Sequence, residues 1–242
     1  MWPLYHKAHH TAFTGYLTKC HYPKQDAMGM EHTEIALFPI PGMVAFPGTT
    51  VPLHVFEPRY RRMINECVEE ERLLGVCHTS KTLNQGPSKQ TIEEALNTNQ
   101  ATHQPHVVFS AGQCEVKEVL DDGRMLVLLA VLDRYRLVTE TQTLPYRIGL
   151  CERLADIDTD DPDESAELQA RLVARLLEIA QGQDSAELLV QLKERIESLT
   201  PSEFSFQLFE FVRFDADLMQ EVLENTSPNG RLRLIAQVLQ AG

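Results

Sequence analysis

The stretch from Ala36 to Ile64, ALFPIPGMVAFPGTTVPLHVFEPRYRRMI, restricts the fold of this chain more than any other. Pro39, Pro41, Pro47, Pro52 and Pro58 cannot donate a backbone hydrogen bond, so each must sit at a strand edge, a turn or a helix start. One long helix is excluded. Three short apolar runs, Ile35 to Phe38, Met43 to Phe46 and Val51 to Phe56, alternate with Pro41-Gly42 and Pro47-Gly48, dipeptides suited to chain reversal. The pattern predicts a tight β-meander that feeds a helix opening at Pro58, with Tyr60, Met63, Ile64, Cys67 and Val68 on its covering face. Arg59, Arg61 and Arg62 at its start oppose the helix dipole, so at least Arg59 is expected to find a carboxylate or carbonyl elsewhere.

Within this stretch, Leu37-Phe38-Pro39, Phe46-Pro47-Gly48, Pro52-Leu53-His54 and Phe56-Glu57-Pro58-Arg59-Tyr60 occur in the order and spacing found at the start of the Lon protease amino-terminal domain. The chain resembles that substrate-binding family, and later segments, DDGR at Asp121, DRYRL at Asp133 and PYR at Pro145, extend the likeness. The resemblance implies a PUA-like small β-barrel with a covering helix. It also implies a stand-alone, bacterial-type protein without the ATPase and protease domains of Lon. Together with the helical patterning of the C-terminal third, the expected fold class is α+β, a barrel followed by a C-terminal helical bundle.

Of 242 residues, 43% are hydrophobic and 24% charged, ordinary for globular protein, and the formal net charge is -13. A surface that acidic repels phosphate backbones unless it hides a basic patch. Five dispersed cysteines, Cys20, Cys67, Cys77, Cys114 and Cys151, fit reduced thiols in a cytoplasmic protein better than a disulfide framework. No apolar run approaches the roughly 20 residues of a membrane span, so no membrane association is expected.

Residues 1–30 show neither helical nor strand periodicity and read as a disordered leader, with translation from Met28 or Met30 as an alternative start. The β-rich domain is expected over 31–155, interrupted by a polar insertion near 79–105 that carries a capping-box signal at Thr91. Met125 to Leu132 is apolar throughout and predicts a strand buried on both faces, while Arg134 to Leu137 alternates as a half-exposed strand would. Seven acidic residues mark 156–167 as a solvated linker. A helical subdomain over 168–242 follows, with stripes at Leu168, Leu172, Leu176 and Ile179 and at Leu188, Leu192, Ile196 and Leu199. Thr200-Pro201-Ser202-Glu203 is a further helix start.

Catalytic motifs are absent. No glycine precedes a lysine, which excludes the phosphate-binding P-loop, and G-x-S-x-G, H-E-x-x-H and paired C-x-x-C do not occur. No cofactor and no metal is expected: His6, His9, His10, Cys20 and His21 match no closed-site spacing. An acid–base pairing of His54, Glu57 and His78, or a nucleophile at Cys77 or Cys114, is outweighed by packing roles inside apolar strands. What remains is binding, of unfolded or partly folded polypeptide or of a protease or chaperone. The candidate surface is a groove between barrel and helices, formed by the Met43 to Pro52 turns, with Met43, Phe46 and Pro47, together with Phe204, Phe206 and Phe211; the competing reading places these phenylalanines in the core. Phe56, Glu57, Pro58, Arg59 and Tyr60 are read as structural. The alternative function is RNA binding through Arg134, Arg136, Arg147 and Arg153, since PUA-like barrels in other families read RNA.

Overall fold

Apolar residues on both sides of one strand set the centre of the molecule. In a computed structural model, which describes residues 32–84, 102–157, 161–180, 196 and 198–241, strand β1 (His32–Pro39) is buried on both faces. Ile35 and Leu37 join one apolar cluster with Phe109 and Cys151, and Ala36 and Phe38 join another with Leu53, Met63 and Leu129. The leader at 1–30, residues 85–101 with the Thr91 capping box, and the helical stripe at Leu188 and Leu192 lie outside the described residues.

The remaining strands are β2 (Thr50–Val55), β3 (Leu74–Cys77), β4 (Thr79–Asn84), β5 (Thr102–Pro105), β6 (Val108–Val119), β7 (Met125–Gln142) and β8 (Arg147–Arg153). The main sheet runs β2-β7-β6-β3-β1-β8, and an added β7–β8 pairing closes β7-β6-β3-β1-β8 into a cycle. β4 and β5 pair with each other as a separate arm across the polar insertion. The chain is thus α+β, with a closed strand system followed by helices.

The expected meander is corrected. β1 pairs in parallel with β3 and antiparallel with β8, whereas β2 pairs with β7. The turns explain why: Gly42 and Gly48 take φ of 73° and 78°, and Gly48 N–H donates to the Val131 carbonyl at 3.0 Å while Val131 N–H donates to Thr49. The loop is therefore stitched to β7, carrying β2 away from β1. β7 also differs from expectation. Leu126 is exposed and Leu128, Ala130 and Leu132 are half-buried, so Met125 to Leu132 is buried on one face only, and it runs without a break into Tyr135–Val138.

Gly112 marks a register shift between β6 and β7, where a Cβ would approach the Ala130 carbonyl oxygen to 1.8 Å. The obstacle is backbone, which cannot swing aside. Gly112→Ala is expected to lower unfolding free energy by about 1–3 kcal/mol through overpacking, read from urea denaturation.

Helix α1 (Pro58–Glu69) starts on proline and buries Tyr60, Met63, Ile64 and Cys67, whereas Val68, expected on the same face, turns to the exposed side. Its misplaced charges are compensated, but Arg59 takes its carboxylate from the helix's own N-cap rather than from elsewhere in the fold. Arg59 Nε donates to Glu57 at 3.0 Å and Nη1 reaches Thr102 Oγ1, Arg61 donates to the Gly123 carbonyl, and Arg62 pairs with Glu66.

After β8 come α2 (Pro162–Ala180), α3 (Pro201–Gln207), a 3₁₀ turn (Leu208–Glu210), α4 (Ala216–Glu224) and α5 (Pro228–Ala241). α2 begins at Pro162, inside the stretch read as a linker, because Asp161 accepts from Asp163 N–H at 3.0 Å and fixes the first turn. Thr200 and Glu203 form the expected capping box. No helix among the described residues is long and apolar enough to cross a membrane.

Candidate functional site

The proline-punctuated stretch builds a groove. A cavity of about 310 Å³ is lined by buried Phe38, Leu53, Val55 and Tyr60 and by the more exposed Ile40, Pro41, Met43, Pro52, His54 and Phe56, with His103 contributed by β5. Phe38 and Tyr60 meet at 4.4 Å between ring centroids. Burial pushes the Tyr60 phenol up to about 12, against the nearby Arg59 charge, so it stays neutral at physiological pH. Among the described residues Glu57 is the one carboxylate in the lining, and Arg59 pairs with it at 2.9 Å. The surface offered is apolar and aromatic, with imidazoles at its margin.

Two features shape the rim of the groove. Gly42 N–H donates to His78 Nδ1 at 3.1 Å, so the Pro41-Gly42 turn beside Met43 is anchored to β3's end, and His78 Nε2 carries the proton toward Asp217, 3.4 Å away. β2 is the edge of the main sheet, and Pro52 removes a donor from it. Strand addition is blunted there.

The structure divides the residues singled out in the sequence. Met43 lines this groove, as do Phe56, Glu57 and Tyr60 of the motif read as purely structural. Phe46 does not: it stacks on Phe209 at 4.2 Å and lies near Phe206, in the cluster that joins the strands to the helices. Phe204 and Phe206 are also buried, at 0% and 6% exposure, Phe204 in the core and Phe206 at the lining of a polar cleft. Phe211 is exposed, and Pro47 lines a separate, polar cleft of about 440 Å³ with Arg134, Asp156 and Ser202. Pro52, at the end of the Met43 to Pro52 turns, lines the groove too, whereas Phe38, Ile40, Leu53, His54, Val55 and His103 were missed as lining residues. All but His103 lie in or beside the proline motifs, and His103 arrives from a distant element.

Behind the polar cleft sits a buried charge cluster. Arg134 donates to the Leu223 and Asn225 carbonyls and, at 2.5 Å, to Asp156; Arg231 pairs with the same carboxylate at 2.7 and 2.8 Å and with Ser205. Both guanidinium groups lie over the Phe206 ring, 5.0 and 4.0 Å from its centre. Burial and the Arg231 charge lower Arg134 to about 10, against the pull of Asp156, so it remains a cation. Burial alone would raise Asp156; hydrogen bonds from Arg231 and Ser202 and the two positive charges outweigh it and hold the carboxyl below its ordinary range. Asp156, expected in a solvated linker, is thus the pin between β7 and the helices. Arg134 is buried here rather than half-exposed, and Arg136, Arg147 and Arg153 pair with Glu152, Glu140 and Asp133. No group of three or more metal-ligating side chains converges among the described residues.

Comparison with known proteins places this architecture. The family model of the ATP-dependent protease La (LON) substrate-binding domain matches residues 34–241. The chain belongs to the Lon substrate-binding domain family. The Lon-family chain is 27% identical over 155 residues to the Lon protease of Parabacteroides distasonis, covering 62% of this chain and 17% of that protein. It is 29% identical over 113 residues to Lon protease 1 of Herpetosiphon aurantiacus, covering 47% and 12%. It therefore spans less than a fifth of the curated Lon proteases it matches. The fold of this Lon-family chain is shared with two solved structures. A Lon N-terminal domain protein from Xanthomonas campestris aligns with a TM-score of 0.56 and 20% identity, covering 85% of this chain and 98% of that one. The N-terminal domain of the Mycobacterium avium complex Lon protease aligns with a TM-score of 0.61 and 14% identity, covering 86% and 98%.

Proposed function

We propose that this chain is a non-catalytic polypeptide-binding module of protein quality control, which receives extended apolar segments of unfolded or partly folded protein, or of a protease or chaperone partner, in the groove lined by Met43, Phe56 and Tyr60. The observation that carries this is the groove itself: an apolar, aromatic cavity whose one carboxylate among the described residues is paired with Arg59. Membership of a substrate-binding family supports the same reading. On this reading the closed strand system is a PUA-like barrel, α2 to α5 belong to a C-terminal helical bundle, and the module works in the cytoplasm. RNA binding is disfavoured because Arg134, Arg136, Arg147 and Arg153 are each engaged with protein carboxylates and the chain carries a net charge of -13.

The full chain titrated with fluorescent unfolded peptides, and in parallel with labelled RNA at low and moderate salt, tests the assignment. Peptide binding with a Kd on the order of micromolar and little salt dependence is expected, since burial of apolar side chains involves no counterion release. RNA binding that weakens steeply with salt, or silence toward every apolar peptide, would overturn it.

A further inference from the structure

The apolar groove adjoins a second, smaller cavity. This niche of about 40 Å³ shares Pro39, Tyr60 and His103 with the groove and is completed by four parts of the chain: Arg59 of α1, Thr102 of β5, Thr143 of the loop between β7 and β8, and Arg147 of β8. We propose that the niche takes the α-carboxylate at the end of a polypeptide chain, so that the groove selects segments that terminate in an apolar residue. This rests on the reading of the groove as a polypeptide site and names the class of segment that it takes.

Charge complementarity calls for an anion. The lining holds two guanidinium groups, an imidazole and the hydroxyls of threonines and tyrosine, and no aspartate or glutamate among the described residues. The carboxylates that match the two arginines lie outside it. Glu57, in the groove lining, pairs with Arg59, whose guanidinium carbon is 4.6 Å from the centre of the Tyr60 ring, and Glu140 accepts from Arg147 Nη1 at 2.6 and 2.5 Å. The second pair occupies Nη1 alone. Among the described residues, Arg147 Nε and Nη2 and the Tyr60 hydroxyl make no hydrogen bond, although Tyr60 is only 8% exposed. These groups are donors with no acceptor, and a carboxylate offers two oxygens that only accept. Burial holds the Tyr60 phenol in its protonated form, so it stays a donor at physiological pH.

Size narrows the anion to a carboxylate. A water-sized group needs ~10–15 Å³ of cavity, so the niche has room for roughly three heavy atoms, as many as a carboxylate contains and too few for a whole side chain. A chain terminus carries that group one bond from its last Cα. Its terminal apolar side chain therefore rests against Phe38 and Leu53 in the groove while the carboxylate enters the niche. An internal aspartate or glutamate would commit its own side chain to the niche and bring main chain on both sides of it into the apolar lining, where unpaired amides are costly.

The test titrates the full chain with three fluorescent peptides: one ending in Leu-Phe with a free carboxylate, the same peptide amidated at its C-terminus, and the amidated peptide with one internal glutamate. The free acid is expected to bind about 10-fold more tightly than the amide, the scale of a charge-assisted hydrogen bond, with the glutamate peptide no better than the amide. Tyr60→Phe is expected to shrink the acid-to-amide ratio without lowering the melting temperature, since the hydroxyl has no partner to lose. Thr143→Glu, at an exposed loop position, is expected to abolish the ratio by placing a like charge in the niche. Equal binding of acid and amide would overturn the terminal-carboxylate site and leave the polypeptide reading standing. A glutamate peptide that matches the free acid, or a ratio untouched by both variants, would overturn it too. Silence toward all three peptides would remove the polypeptide reading and this inference with it. Thr143→Glu decides alone should Tyr60→Phe fail to fold.

Discussion

Asp156→Ala is expected to lower unfolding free energy by about 3–5 kcal/mol, because it leaves two buried guanidinium groups facing each other across a lost carboxylate. Arg231 is fully buried and Arg134 nearly so, and no other carboxylate is hydrogen-bonded to either of them within the cluster. Urea denaturation at neutral pH measures the loss. Arg231→Met is the gentler change, since Arg134 keeps Asp156 and the methionine still covers Phe206. The pH dependence has a defined sign. The folded-state pKa of Asp156 is depressed, so its stabilisation is complete above the unfolded carboxylate value of about 3.9 and disappears as pH falls through the lower folded value. The wild type and Asp156→Asn are therefore expected to differ at neutral pH and to converge in acid. A gap that persists unchanged to low pH would show that the carboxylate's charge is not what holds the helices to β7.

Met43→Asp is expected to weaken binding of an apolar peptide by roughly 30-fold, about 2 kcal/mol, the cost of losing a central anchor. Met43 is only partly buried and sits on a loop whose turn is fixed by Gly42 and His78, so the melting temperature should change little. A new carboxylate in an apolar lining imposes desolvation on any bound segment, whereas the native Glu57 is already matched by Arg59. Unchanged affinity would move the binding surface away from this groove.

Much of this was legible because prolines act locally. Pro58 opened a helix where the sequence placed one, and Thr200 to Glu203 capped another. Strand partners were less legible. Nothing local in Val51 to Phe56 states that its neighbour lies some 75 residues onward in β7, and that choice is made by hydrogen bonds of the intervening loop to Val131. Asp156 was misjudged for a related reason: seven acidic residues together look solvated, but one of them is claimed by arginines at 134 and 231 that sequence proximity cannot reveal. The phenylalanines at 204 and 206 posed the opposite problem, since an aromatic excess signals core or ligand equally until Phe46 and the two guanidinium groups are seen against Phe206.

The position of β1 has a consequence during synthesis. This strand leaves the ribosome early, yet one of its two partners, β8, begins only at Arg147. At about 5–20 residues per second, Ile35 to Phe38 wait on the order of 10 s with one edge unpaired. For that interval the nascent chain is itself an unfolded apolar polypeptide, the class of ligand its finished groove is proposed to bind, and its yield in the cell should depend on chaperone supply.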